Sequence, residues 1–314
     1  MRWVVQGLAL WLVTAAVTSG ALVIKVRQFP RMPGASVQGM AITDDGLLVQ
    51  AYDGGQCRIF DLKAEGNAPV AGFPFASAGK DNHANAVSLG DTRYEGGWLP
   101  LLYVTGGQPA NGRMECHVEN IRKEGNVCWA ERVQRITLSA DFAWDMQPGS
   151  AYREADGFCR IWGAPTWLVD SRANCLYVFS AIYRTTRAYA RFAKENRYVV
   201  TKLRLPAPTE GDVTLTPQDV LDQVLYDFDV LVTQSGVVRG GEIYYVFGFG
   251  RDQASRESSQ LRIYNLPTRA ITGRIDLATA IPEELEGCDF YQGELHVVTQ
   301  AGSLYRINPA ASTP

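Results

Sequence analysis

The sequence has few residues of the kinds that bind zinc or cradle phosphate. It contains three histidines and six cysteines in 314 residues, without a Cys-x-x-Cys pair or a His-Glu-x-x-His motif, which argues against the common zinc sites. It also lacks a phosphate-binding glycine loop and the Gly-x-Ser-x-Gly turn of serine hydrolases. Basic residues are not in excess: the net charge is -3 and the pI is about 5.7, so nucleic acid is not an expected partner.

The first 21 residues have the pattern of a secretory signal peptide. One basic residue, Arg2, precedes an apolar stretch that ends in small residues, and Ser19 and Ala21 suit the -3 and -1 positions of a cleavage site. Residues 22–314 would then form one exported domain, which could be secreted, periplasmic or held at the cell surface. The alternative is an uncleaved membrane anchor, because residues 22–24 extend the apolar stretch.

An even number of cysteines in an exported chain permits disulfides. Cys116 and Cys128 lie on consecutive predicted strands, and we expect these two to pair. The alternative is that the cysteines are reduced and pack as small buried apolar residues.

Most of the chain alternates short β-rich runs with turns, and the runs fall into units of about four. Residues 22–29 alternate apolar and polar side chains but have no neighbouring strand along the chain. The units that follow span residues 37–75, 83–138, 167–228, 231–277 and 285–308. The third is the least regular, with a predicted helix over 186–194 and a second short helix that Thr216 caps and Pro217 begins.

The units begin with similar residues, which indicates an internal repeat. The openings are Gln38-Gly39, His83-Ala84-Asn85, Ser235-Gly236 and Glu286-Gly287. With these openings the chain resembles the five-bladed β-propeller superfamily, in particular exported bacterial members, and the absence of Trp-Asp dipeptides distinguishes it from WD40 arrays. The resemblance implies an all-β fold of five blades, closed by residues 22–29 as the outermost strand of the C-terminal blade. Six blades would result if residues 144–162 formed a degenerate one.

In a propeller the strands that open the blades line the central channel, so their first residues meet at one mouth. The predicted ligand-binding collar consists of Gln38, His83, Asn85, Ser235 and Glu286, with Thr166 as a further member. It is nearly neutral and contains one carboxylate. We expect it to bind a glycan or another small polar molecule, with Glu286 and Asn85 accepting hydrogen bonds or coordinating a cation. His83 would donate a hydrogen bond to the ligand or exchange a proton with it, and Gln38 and Ser235 would orient the ligand. Alternatively, His83 and Asn85 only satisfy neighbouring backbone groups.

Two enzymatic alternatives use the same collar. Resemblance to lactonase and gluconolactonase-like propellers implies a hydrolase with Ca²⁺ as cofactor, held by oxygen ligands such as Glu286 and Asn85, with His83 as base. Glycoside hydrolysis needs two facing carboxyl groups, and the alternation of a strand turns Asp289 away from Glu286. We therefore favour a binding or scaffold module over an enzyme.

Residues 139–165 form an insertion rich in glycine, proline and aromatic residues. Its aromatic side chains, with Trp167 just beyond it, could contact a protein partner or a sugar. They could equally close the gap between the second and third blades.

Overall fold

The computed structural model describes residues 15–18, 21–106, 114–142, 161, 165–182, 196–229, 233–250 and 258–308. Strands dominate these residues, and the helices among them are single 3-10 turns at Asp53–Gly55, Ala140–Phe142, Pro208–Glu210 and Pro217–Asp219. Across the described ranges, no helix is long and apolar enough to cross a membrane.

Twenty-two strands are assigned within the described residues, and five sheets contain them. In chain order they are β1 (Ala15–Thr18), β2 (Ala21–Gln28), β3 (Val37–Ile42), β4 (Leu47–Tyr52), β5 (Gln56–Asp61), β6 (Ala71–Pro74), β7 (Val87–Arg93), β8 (Pro100–Gly106), β9 (Glu115–Glu124), β10 (Val127–Leu138), β11 (Thr166–Asp170), β12 (Cys175–Ala181), β13 (Arg197–Arg204), β14 (Val213–Leu215), β15 (Val220–Asp227), β16 (Thr233–Arg239), β17 (Glu242–Phe247), β18 (Gln260–Asn265), β19 (Ala270–Asp276), β20 (Leu285–Tyr291), β21 (Glu294–Thr299) and β22 (Ser303–Asn308).

Each sheet is one blade, and the fold is the five-bladed β-propeller that the repeat predicted. Blade 1 has the order β3-β4-β5-β6, blade 3 the order β11-β12-β13-β15, and blade 4 the order β16-β17-β18-β19. Blade 2 is β7-β8-β9-β10 with β14 added in parallel at its outer edge, an addition that the sequence pattern did not predict. Blade 5 is β20-β21-β22-β2-β1.

The first strands of the blades form the inner ring. β3 contacts β7, β7 contacts β11, β11 contacts β16, β16 contacts β20, and β20 returns to β3. Every residue of β3 is buried, whereas the outer strand β19 alternates between exposed and half-buried residues over most of its length. Burial decreases from the inner to the outer strand because an inner strand is covered by two neighbouring blades, whereas an outer strand is exposed to solvent.

Apolar side chains fill the space between each pair of adjacent blades. The described residues form five buried clusters, one at each of the five blade interfaces. The cluster between blade 5 and blade 1 contains Met40, Phe60, Val298 and Leu304, so the ring is closed by a packed interface of the same kind as the others. Burial of this apolar surface is the main force that holds the blades together.

The N-terminal region pairs with the C-terminal blade. β2 runs antiparallel to β22, with Val23 opposite Ile307 and Gln28 opposite Ser303, and both Val23 and Ile307 are buried. β1, which lies within the predicted leader, pairs with the free side of β2. The expectation that residues 22–29 form the sheet edge applies to a chain without the leader and stays a prediction.

Two further local expectations have different outcomes. Thr216 precedes the 3-10 turn at Pro217–Asp219, and its N–H and hydroxyl both donate to Asp219 (2.7 and 3.0 Å), as the N-cap pattern indicated. The pairing of Cys116 with Cys128 was wrong, because the β9–β10 register places Cys116 opposite Ile136 and Cys128 near the turn, opposite Lys123. All five cysteines in the described residues are free thiols. The expected helix at 186–194 and the region 144–162, apart from the buried Ile161, lie outside the described residues.

Candidate binding site at the channel mouth

Three inner strands direct a polar residue into the channel mouth by the same local device. The register of β3 with β4 shifts between Val37 and Gly39, and that of β20 with β21 shifts between Leu285 and Gly287. Each shift leaves one residue, Gln38 or Glu286, outside the ladder of paired residues. A β-bulge of this kind breaks the alternation and re-aims a side chain.

The third such strand is β16, where the shift between Thr233 and Gly236 leaves Gln234 and Ser235 outside the ladder. The glycine after each bulge is needed for close approach. A Cβ on Gly236 would lie 2.5 Å from the carbonyl oxygen of Tyr244, and one on Gly39 would lie 3.0 Å from that of Ala84. In the repeated opening, the polar residue therefore lies in a β-bulge, and the glycine after it allows a neighbouring backbone or side chain to approach closely.

Asp53 is the residue around which the predicted collar side chains gather. It begins the 3-10 turn after β4, and its N–H donates to the carbonyl oxygen of Ser36, just before β3 (3.1 Å). Its carboxylate accepts a hydrogen bond from Nε2 of Gln38 at 3.2 Å and lies 2.8 Å from Nδ1 of His83. Because a carboxylate only accepts, Nδ1 of His83 carries the hydrogen and Nε2 is the nitrogen left for a ligand.

His83 and Asn85 lie in a structured loop rather than at the start of a strand. β7 begins only at Val87, so the expectation that this strand opens at His83 was wrong. Ala84, between them, has a positive φ of 49°, a conformation that is uncommon for residues other than glycine. Its N–H donates to the side-chain oxygen of Asn82 (2.9 Å), which helps to hold the loop in place.

Glu286 is almost completely buried, with 2% of its surface exposed. Its Oε2 atom has no hydrogen-bond partner among the described residues, and neither does the buried Oδ1 atom of Asn85. Burial raises the pKa of Glu286 well above its ordinary range, and the nearby carboxylates of Glu284 and Asp53 raise it further. Buried polar atoms in folded proteins nearly always have partners, and these two oxygens are among the nine buried side-chain atoms of the described residues that have none.

The remaining contacts continue the collar around the ring. Nε2 of Gln234 donates to Oε1 of Glu284 at 2.8 Å. The carbonyl oxygen of Gln234 accepts from the hydroxyl of Tyr245 at 2.9 Å and from that of Thr166 at 3.4 Å. Ser235 is buried on the same strand. Thr166 on β11 is thereby linked to β16, and β16 to Glu284 just before β20.

The structure thus adds two carboxylates to the collar, Asp53 and Glu284. The sequence-based description of a nearly neutral collar with one carboxylate was wrong, because both residues lie in turns that precede or follow a strand. An acidic residue two positions before Glu286 was a visible signal for Glu284. For Asp53 the signal was weaker, since an Asp-Gly-Gly run is equally typical of an ordinary turn.

The carboxyl groups of Asp53 and Glu284 accept hydrogen bonds from neighbouring side chains, whereas the Oε2 atom of Glu286 has no donor among the described residues. Glu286 and Asn85, the residues suggested as Ca²⁺ ligands, both contribute unpartnered oxygens. Within the described residues, no group of three or more histidine, cysteine, aspartate or glutamate side chains could hold a metal ion. Ca²⁺ prefers six to eight oxygen ligands, so the collar fits hydrogen-bond donors better than it fits this cation.

The aromatic insertion falls mostly outside the described residues. Among its described residues, Phe142 and Ile161 are fully buried with Trp167 in the cluster between blades 2 and 3. These three seal the interface between blades and are not available to a partner.

Fold and site together define a five-bladed β-propeller with an acidic collar at one end of its channel. No family model matches the chain, and no curated protein matches it in sequence. Among solved structures, it is similar to a structural genomics protein of unknown function from Bacteroides thetaiotaomicron VPI-5482. The two share 10% sequence identity, the match covers 90% of this chain and 73% of that chain, and the TM-score is 0.43.

Proposed function

We propose that this propeller is an exported binding module that recognises a small polar ligand, a glycan or a comparable molecule, at the collar of Gln38, His83, Asn85, Ser235 and Glu286. The observation that supports this most directly is the buried Oε2 atom of Glu286, which has no partner within the described chain. An unsatisfied buried acceptor costs stability, and a ligand that donates a hydrogen bond to it removes that cost.

The charge of the collar narrows the ligand class. Asp53 and Glu284 are close enough to raise the pKa of Glu286, and His83 is a basic side chain that contacts Asp53. A ligand that carries a protonated amine as well as hydroxyl groups would complement the carboxylates of Asp53 and Glu284 and would favour the ionised form of Glu286. Among glycans, amino sugars have this chemistry.

Calorimetric titration with glucosamine and galactosamine tests the proposal, and their N-acetylated forms serve as uncharged controls. We expect the amines to bind, and His83→Ala and Glu286→Gln each to weaken binding by about 10- to 100-fold, the effect of losing a hydrogen bond to a charged group. Glu65→Gln, a change at an exposed turn residue, is the matched control. Binding that stays within twofold of wild type in both variants would contradict the proposal.

A second candidate function is glycoside hydrolysis, which the two added carboxylates favour. This reaction needs one carboxyl group that holds a proton and a second that is ionised. Burial favours the protonated form of Glu286, whereas the carboxylate of Asp53 is bonded to Gln38 and His83. Release of nitrophenol from a panel of nitrophenyl glycosides, abolished by Glu286→Gln, would support this function. Binding of amino sugars without any turnover would support the module.

A further inference from the structure

The channel has a second mouth, at the opposite end from the collar, and it contains a large cavity. Its volume is about 640 Å³, within the range of about 300 to 1,000 Å³ that small-molecule sites occupy. The inner strands β3, β11, β16 and β20 contribute their last residues or the turns after them, for example Asp170 and Arg239. Four collar residues, Gln38, Thr166, Ser235 and Glu286, lie at the starts of the same strands, so the two sites lie at opposite ends of the channel.

All five blades contribute to this cavity, and they contribute charges of both signs. The acidic residues are Asp44 and Asp45 from blade 1, Asp91 from blade 2, Asp170 from blade 3 and Asp289 from blade 5; the basic residues are Arg93, Arg172 and Arg239 from blades 2, 3 and 4. Neither sign prevails strongly, since five carboxylates face three guanidinium groups.

The three cavity arginines form no ion pair within the described residues. Elsewhere in the described chain, seven arginines pair with a carboxylate, for example Arg204 with Glu210 at 2.8 Å and Arg306 with Glu294 at 3.0 Å. No carboxylate among the described residues lies within 4.0 Å of the guanidinium nitrogens of the cavity arginines, although five aspartates share the cavity with them. Their hydrogen-bond donors therefore face the cavity without carboxylate partners.

Two local features give the cavity wall a fixed shape. The carboxylate of Asp289 accepts hydrogen bonds from the N–H groups of Ile42 and Phe290, both at 2.7 Å, and so links blade 5 to blade 1. The guanidinium group of Arg239 lies over the ring of Phe290 at 4.4 Å from its centre. A guanidinium group that lies over an aromatic ring loses freedom of movement, while the N–H groups at its edge can still donate hydrogen bonds.

From these contacts we infer that the second mouth is a binding site for a neutral saccharide. A simple anion would meet five carboxylates, and a simple cation would meet three guanidinium groups. A hydroxyl group donates one hydrogen bond and accepts two, so the vicinal hydroxyls of a sugar can bridge carboxylate acceptors and guanidinium donors at once. This inference does not depend on the proposed function of the collar.

Saturation-transfer NMR on the full chain tests the site with a panel of glucose, galactose, mannose, maltose and cellobiose. We expect at least one of these sugars to bind, and Arg172→Gln and Arg239→Gln each to weaken that binding by about 10- to 100-fold. Arg31→Gln, at an exposed arginine outside the cavity, should bind as wild type does. Glu286→Gln should also retain the saccharide signal, which separates this site from the collar.

Three outcomes would overturn the inference. The first is that none of the five sugars gives a signal with the wild-type protein. The second is that both arginine variants keep affinities within twofold of wild type. The third is that Glu286→Gln, and not the arginine variants, abolishes the signal, which would place the sugar in the collar. Circular dichroism of the arginine variants should match wild type, because both side chains are exposed.

Discussion

Replacement of Glu286 by glutamine is expected to stabilise the propeller at neutral and alkaline pH. In the wild-type protein this carboxyl group is 2% exposed and its Oε2 atom has no partner in the described structure. Burial raises its pKa well above the ordinary 4.5, and Glu284 and Asp53 raise it further. The amide is close in shape, carries no charge, and can donate to either neighbouring carboxylate.

The sign of the pH dependence follows from proton linkage. Because the pKa of Glu286 is higher in the folded state, the folded protein retains a proton that the unfolded chain releases above pH 4.5. The free energy of unfolding of the wild-type protein therefore falls as pH rises from 4.5 up to the folded-state pKa. Glutamine removes this contribution, so the difference between variant and wild type should be small at pH 4 and grow towards pH 8.

An unsatisfied buried polar group costs about 1 to 3 kcal/mol. We therefore expect the variant to gain at least about 1 kcal/mol in free energy of unfolding at pH 8, which raises the Tm of a domain of this size by at least about 2 °C. Urea unfolding and thermal melts from pH 4 to pH 9 measure both quantities, with Glu65→Gln as control. A Glu286→Gln variant that is less stable at pH 8, or that keeps the pH slope of wild type, would refute the reasoning.

Two further predictions concern the interfaces between blades. Glu119 is fully buried and accepts hydrogen bonds from the N–H groups of Ala76 and Ser77 (both 3.0 Å). Glu119→Ala should lower the free energy of unfolding, measured with urea, by about 2 to 5 kcal/mol. Glu119→Gln keeps one acceptor and should lower it distinctly less. Equal costs for the two variants would mean that these bonds contribute little. Val23 is 2% exposed on β2, whereas Val26 on the same strand is 44% exposed. Val23→Ala should therefore lower the free energy of unfolding by about 1 to 3 kcal/mol, and Val26→Ala should lower it by less than about 0.5 kcal/mol. A Val23→Ala protein as stable as Val26→Ala would show that β2 adds little to blade 5.

Most of the fold could be predicted from the sequence because the repeat is expressed in local patterns. Alternating runs separated by glycine or aspartate turns predicted units such as 37–75 and 285–308, which match β3 to β6 and β20 to β22 to within a residue. Blade number followed from counting these runs, and the pairing of β2 with β22 followed from each lacking a local partner. What local patterns could not give is register, and the proposed pairing of Cys116 with Cys128 failed for that reason.

The candidate site was predictable only in part, because hydrogen bonds between blades depend on turn geometry. Gln38 and His83 both contact Asp53, and Asp53 lies near Glu286, whereas the role of these residues in binding stays a prediction. Asp53 follows the second strand of blade 1, and its contact with His83 is set by the docking of its turn against the loop before blade 2. The N–H of Gly54 donates to the carbonyl oxygen of Asn82 at 2.9 Å, a contact for which no residue pattern gives a signal.

The collar shows how one structural device can bring stability and binding into opposition. A bulge takes Glu286 out of the β20–β21 ladder and places its carboxyl group in a buried position near two others, where glutamine would be more stable. The same group is the acceptor that a donating ligand requires. If Glu286→Gln both stabilises the protein at pH 8 and weakens amine binding, the carboxylate lowers stability while serving recognition, as is common at functional sites. A gain in stability with unchanged binding would show instead that the buried charge has no role in recognition, and the collar proposal would lose its main support.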